Sequence, residues 1–296
     1  MTPGAPGASG ASGDTRIHDR GYRHFEGERT GSAGAMRTTV RYTFGRILGL
    51  RRGARAKALP FIVVGIAYLP AIVFIGIGVI VPKQISAASI PQVWEYYGFV
   101  ISAILLFIAF AAPEALCPDR RFRVMGVYLS SPLTRTTYLV SKFVAVAGAL
   151  CFVTLLPPLL MVVGRSLQGQ GPSSGELGIT IARIIGCGLM LAIFFALLAL
   201  AASSLTDRKG FASSAIVLVF VVGGAVSSAL FHSTDNHNAI LLNVFTVPFE
   251  TVRRVFGNAG DHPSIPTVLL GVVLLGWASL FGSVVLWRYR SLEVTR

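Results

Sequence analysis

The sequence predicts an all-α membrane protein: six membrane-crossing helices preceded by an amphipathic helix lying in the interface. Three observations carry this expectation. The apolar residues fall in blocks of about 20, long enough to cross a hydrocarbon core roughly 30 Å thick. Charged residues make up 13% of the chain, against about 25% in soluble domains, and the mean hydropathy is +0.67. Lys and Arg gather in alternate connections between the blocks, the mark of a polytopic chain.

Residues 1–35 are rich in Gly, Ala and Ser, and Arg16, Arg20, Arg23 and Arg29 offset Asp14, Asp19, Glu26 and Glu28. So little apolar surface cannot offset the entropy of ordering, so the stretch reads as a disordered, dispensable tail. It contains no apolar core of the kind a cleavable signal requires. Met36 follows it and is an alternative start.

Over residues 36–57, Val40, Phe44, Ile47 and Leu48 recur at helical spacing. Arg37, Arg41, Arg46, Arg51, Arg52, Arg55 and Lys57 crowd the remaining positions. A helix lying over anionic headgroups has this pattern, and a span follows directly. The spans are expected at 59–82, 97–116, 138–164, 178–204, 211–231 and 266–287. Residues 58–290 thus make a six-helix domain, and 291–296 a short C-terminus. Pro60 and Pro70 in the first span and Pro157 and Pro158 in the third remove backbone donors, which membrane helices tolerate when neighbours satisfy the freed carbonyls. The connection 232–265 is too interrupted to span and fits a short pair of re-entrant or interfacial helices.

With the N-terminus inside, 21 of the 26 Lys and Arg residues fall on the cytoplasmic side. Lys83, Arg165, Arg183, Arg253 and Arg254 fall outside. Both termini are therefore expected in the cytoplasm, with the chain multi-pass in the plasma membrane. The same distribution accounts for the net charge of +13 without a nucleic-acid partner.

None of the four lysines follows a glycine, so the Gly-Lys-Ser/Thr of a phosphate-binding loop is absent. No His precedes a Glu, which excludes the HExxH zinc site. His232, Asp235 and His237 read as a polar loop rather than metal ligands. Cys117, Cys151 and Cys187 have no ligand spacing, and Cys151 and Cys187 read as small apolar residues within spans. Nothing pairs a nucleophile with a base, so no catalytic residue is expected.

One region is more distinctive. The second span runs into PEALCPDRRFR over 113–123, and MGVYLSSPLTRTTYLVSK follows over 125–142. This resembles the permeases of the ABC type-2 exporter family. There the second span ends in a Glu near the cytoplasm, and a charged stretch and a short helix follow. A Ser/Thr-Pro-x-x-Arg turn then leads to a Lys at the foot of span three. The match falls at Glu114, Pro132, Arg135 and Lys142, with Asp119, Arg120, Arg121 and Arg123 forming the charged stretch. The fourth-to-fifth connection, AASSLTDRKGFA over 201–212, and the Pro-containing apolar stretch 245–256 agree with the same plan.

The resemblance covers about 36–290 and implies the fold of a type V-like exporter. It also implies a separate ATP-binding-cassette subunit in two copies. ATP and Mg2+ would sit on that subunit and no cofactor on this chain. A second permease copy, identical or related, would complete the assembly among membrane lipids. Coupling to the ATPase would fall to the residues just named. Residues 120–130 can form a helix along the cytoplasmic face, stopped before Pro132. Glu114 would seek Arg120, Arg121 or Lys142, or these charges would simply anchor the span ends at the headgroups.

In that family spans two and five tend to face the central cavity. This makes Phe99, Phe107, Phe110, Ser213, Phe220 and Ser227 the candidate path for an apolar or amphiphilic drug, natural product or lipid. The same aromatics also fit a role in packing or facing lipid. Two other readings of the chain stand beside the exporter: an assembly or structural protein of the bilayer, and an intramembrane enzyme. The scarcity of ionisable groups deep in the spans weighs against the enzyme.

Overall fold

The computed structural model describes residues 31–50, 53–80, 91–234 and 237–291. Residues 1–30 of the tail, Arg51, Arg52, Lys83, Asp235 and residues 292–296 lie outside the described residues. Among the described residues every regular element is helical. Six helices are long and apolar enough to cross a membrane, at Lys57–Ile80, Val93–Arg121, Arg135–Leu167, Gly175–Leu205, Lys209–Ser233 and Thr267–Arg290.

The first helix, α1 (Gly31–Ile47), begins within the stretch read as tail and ends ten residues short of Lys57. Its end is set by Gly49, whose φ of 67° lies in the left-handed region that glycine enters without strain. Leu50 N then donates to Gly45 O and Gly49 N to Arg46 O, closing a Schellman turn. Residues 36–57 are therefore one short helix and the start of the first span, not one continuous interfacial helix. The buried stripe is Thr39, Thr43 and Ile47; it keeps Ile47 of the expected apolar face and takes Thr39 and Thr43 in place of Val40 and Phe44, which are half-buried. It packs on the third span, and Phe44 meets Phe152 at 5.8 Å. Arg37 and Arg41 remain exposed.

The first span is α2 (Ala54–Ile80). The second begins as α3 (Val93–Leu106), loosens into a π-helical turn (Phe107–Ala111), tightens into a 3₁₀ turn (Ala112–Ala115) and ends as α4 (Cys117–Arg121). Pro113 causes the irregularity: it lacks an N–H and its ring clashes with the carbonyl four residues earlier. That carbonyl belongs to Ala109, and Ser213 Oγ donates to it at 2.5 Å from the fifth span.

After the short α5 (Met125–Leu129), the third span breaks once, between α6 (Arg135–Thr154) and α7 (Leu156–Leu167), with Pro157 and Pro158 opening the second piece. Thr154 Oγ1 lies 3.2 Å from Leu150 O and 2.9 Å from Gly188 O, joining the break to the fourth span, α8 (Ser174–Leu205). A Cβ at Gly188 would lie 3.1 Å from Leu155 Cα and 3.2 Å from Thr154 O, so a larger residue there would push the break away by a few tenths of an ångström.

The fifth span is α9 (Lys209–Thr234), followed by a 3₁₀ turn (His237–Leu242), α10 (Thr246–Val255) and the sixth span, α11 (Thr267–Arg290). α10 is pinned by the buried Glu250, which accepts from Asp261 N at 3.2 Å and His262 N at 3.3 Å.

The second, third and fourth spans form the centre and bury half or more of their most apolar windows; the first, fifth and sixth bury less than a quarter. The surface of the outer three is apolar, with Ile62, Leu218 and Val268 exposed. In lipid such faces cost nothing, because acyl chains are as apolar as Leu.

Candidate functional site

The segment that ends the second span is held from two sides. On one side Asp119, buried at the start of α4, collects three partners. Arg46 Nη1 on α1 lies 2.7 Å from Oδ1; Lys142 Nζ on α6 lies 2.6 Å from Oδ2; and Tyr138 donates its hydroxyl to Oδ2 at 2.8 Å. The side chains of Arg46, Asp119 and Lys142 are 9%, 4% and 0% exposed, so the desolvated charges depend on one another. Lys142 also donates to Thr43 Oγ1 at 3.0 Å and sits over the rings of Tyr128 and Tyr138 at 5.4 and 5.2 Å. Arg46 reaches on to Ala115 O at 2.8 Å. One carboxylate thus answers two cations, and the rings and carbonyl share the remaining charge.

Electrostatics at the rim follow from this arrangement. Burial opposes the charge of Arg46, but its hydrogen bond to Asp119 and that carboxylate's field overcome it, holding the guanidinium above its ordinary pKa. Tyr128 is pushed up to about 12 by burial and then by the Asp119 charge.

On the other side the segment meets the connection between spans four and five. Cys117 Sγ approaches Ser203 O at 3.8 Å and Thr206 O at 3.7 Å. Arg120 donates to Ser204 O and pairs with Asp207, its Nε 2.8 Å from Oδ1. Lys209 pairs with Glu114. One turn further along α9, Ser213 closes on Ala109.

These contacts correct three expectations. Glu114 pairs with Lys209, not with Arg120, Arg121 or Lys142, because the 3₁₀ turn aims it at α9. Lys142 is not a surface anchor at the foot of span three; it is fully buried under α1. Residues 120–130 do not form one helix. They break at 122–124, where Arg123 takes a φ of 51°, giving α4 and α5.

The break leaves a blunt projection. Arg121, Phe122, Arg123 and Val127 are exposed, Phe122 and Val127 by 70% and 72%. Beyond Pro132, Thr134 caps α6 by accepting from Thr137 N at 3.2 Å, and Arg135 reaches Arg290 O at 3.3 Å at the end of the sixth span. The expected coupling residues therefore divide. Glu114, Asp119, Arg120 and Lys142 are engaged inside the junction; Arg121, Arg123 and Arg135 lie on its surface.

The six expected path residues do not share one wall. Phe110 and Ser213 line an open groove with Leu59, Val217, Leu218 and Lys209, the partner of Glu114. Phe107 and Ser227 are buried within the chain. Phe99 packs edge-on against Phe74 at 5.5 Å, and Phe220 meets Phe245 at 4.9 Å. Packing thus encloses Phe107 and Ser227 and partly covers Phe220, while Phe99 stays 48% exposed.

Sequence reasoning missed Arg46, Thr43, Tyr138, Lys209 and Asp207 as parts of the junction. One signal was present: Lys142 sits in an apolar span one turn after Tyr138, and a cation there requires a partner.

No ligand-grade cluster of His, Cys, Asp and Glu occurs among the described residues, and Asp235 of the polar loop lies outside them. Residues 83–288 match a family model described as ABC-2 family transporter protein. No curated protein matches the chain significantly.

Proposed function

The chain belongs to the ABC-2 family of transporter proteins, and from that premise we propose that it is the permease of an exporter driven by a separate ATP-binding-cassette subunit. Two copies of each would form the transporter in the plasma membrane, with both termini of this chain in the cytoplasm. ATP and Mg2+ bind the partner, whose work reaches this chain mechanically.

The junction around Asp119 carries this reading. A rigid, buried knot of charge ties the end of span two to α1 and span three, and its neighbours tie it to the base of span five. A push on the exposed Phe122 and Val127 is therefore transmitted to four helices at once. Apolar side chains this exposed, flanked by Arg121 and Arg123, suit a groove on the cassette subunit. The groove beside Phe110 and Ser213 is largely apolar with one charged side chain, Lys209, in its lining, which favours an apolar or amphiphilic cargo: a drug, natural product or lipid.

Co-purification with a cognate cassette subunit tests the reading. The complex hydrolyses ATP and this chain alone does not. Phe122→Asp with Val127→Asp leaves insertion intact and abolishes the complex. Robust hydrolysis by this chain alone, or an unweakened complex in the double variant, overturns the proposal.

A further inference from the structure

At the end of the bundle opposite Asp119, Arg165 near the end of α7 and Arg183 on α8 line one cavity of about 500 Å³, within the range that holds a small ligand. Neither guanidinium has an ion-pair or hydrogen-bond partner among the described residues, and Arg165 Nε is buried without one. The one carboxylate in the lining, Glu176, accepts from Ser173 Oγ at 3.0 Å and pairs with neither arginine. Two cations thus outnumber the single carboxylate of a shared space, and neither is paired with it.

The setting narrows the ligand. Arg183 lies nine residues into α8, roughly 13 Å along the helix axis at about 1.5 Å per residue. It is exposed on the helix side, level with apolar surface. A cation at that depth is costly unless it reaches a headgroup or a counter-ion. Trp94, Ile179 and Phe256 give the same cavity an apolar wall. A free phosphate would use only the arginines; a phosphodiester carrying acyl chains would use both the cations and the wall.

We infer that the Arg165–Arg183 cavity binds the phosphate of a phospholipid headgroup, with the glycerol and first acyl carbons against Trp94, Ile179 and Phe256. The lipid would wedge the ends of spans two, three and four at the face opposite the junction. This site does not depend on the exporter reading.

Native mass spectrometry of the purified full chain tests it, with three probes titrated separately: dioctanoyl phosphatidylglycerol, dioctanoyl glycerol and inorganic phosphate. One saturable phosphatidylglycerol adduct is expected, with the other two probes at least about tenfold weaker. Arg165→Gln with Arg183→Gln weakens the adduct about tenfold or more, as loss of two charge-assisted hydrogen bonds requires. Arg183→Gln alone, at an exposed position, weakens it several-fold and needs no rearrangement of the fold. Arg208→Gln, at an exposed position at the other end of the molecule, changes nothing. Dioctanoyl glycerol binding as tightly as the phospholipid would reduce the site to an apolar crevice. Inorganic phosphate binding as tightly would make it an ion site. Equal loss in the Arg208 variant, or none in either Arg183 variant, overturns the inference.

Discussion

Ser213 on the fifth span donates its hydroxyl to Ala109 O at 2.5 Å, four residues before Pro113 in the second span. Pro113 removes the helical donor for that carbonyl, and a residue distant in sequence supplies a replacement. The irregular turn in span two is thus stabilised by span five, and this hydrogen bond ties the two together at this level.

Ser213→Ala is expected to cost about 0.5–2 kcal/mol, the range for interhelical hydrogen bonds in membrane proteins. Pro113→Ala restores the missing donor, so in that background the same substitution costs much less. Reversible unfolding in mixed micelles, read as a double-mutant cycle, checks this. Additive effects would mean the hydroxyl does not serve the proline's carbonyl.

Asp119→Asn leaves Arg46 and Lys142 buried without their carboxylate, and about 3–5 kcal/mol of destabilisation follows. Lys142→Met should be milder, because Asp119 keeps Arg46 and Tyr138. Thermal stability of the two purified variants ranks them, and the reverse order would contradict the charge arrangement described.

Glu114 and Lys209 form a partly exposed pair, with side chains 17% and 44% accessible, so the contribution to stability is about 0–1 kcal/mol. A role in coupling would appear in transport instead. Glu114→Ala is expected to insert normally yet separate ATP hydrolysis from export. Exchanging the charges, Glu114→Lys with Lys209→Glu, should restore much of the coupling. Undiminished coupling in Glu114→Ala removes the pair from the mechanism.

Topology is best read away from the native thiols, since Cys117 and Cys187 are buried. Cysteines placed at the exposed Ser130 and Ser233 report on opposite ends of the bundle. A membrane-impermeant maleimide should label Ser233→Cys in intact cells and Ser130→Cys only after permeabilisation. The opposite pattern inverts the proposed orientation.

How much of the junction was legible depends on the kind of residue. Glu114, Asp119, Arg120 and Lys142 stand out because charge is rare near apolar spans. Their pairing did not follow, because the π-helical and 3₁₀ turns around Pro113 rotate what lies beyond them. A regular helix would have set Glu114 and Asp119 on different faces from those seen. Arg46 was grouped with the surface arginines of α1, although it lies one residue before the buried Ile47 and turns inward. The path residues show the opposite failure: aromatic composition marked them, yet Phe107 and Phe220 are spent on packing.

The sequence by itself determined the six helices, their approximate ends and the absence of a nucleotide loop. Those features are local: an apolar run long enough to cross lipid has no alternative to a helix, and prolines mark where it must bend. Only the tertiary structure decided which cation meets which carboxylate, which hydroxyl serves the Ala109 carbonyl and which aromatics remain open. Partner choice among buried groups depends on distances of a few ångströms between helices far apart in the chain. In an apolar medium no hydrophobic gradient sets those distances; close packing at positions such as Gly188 does.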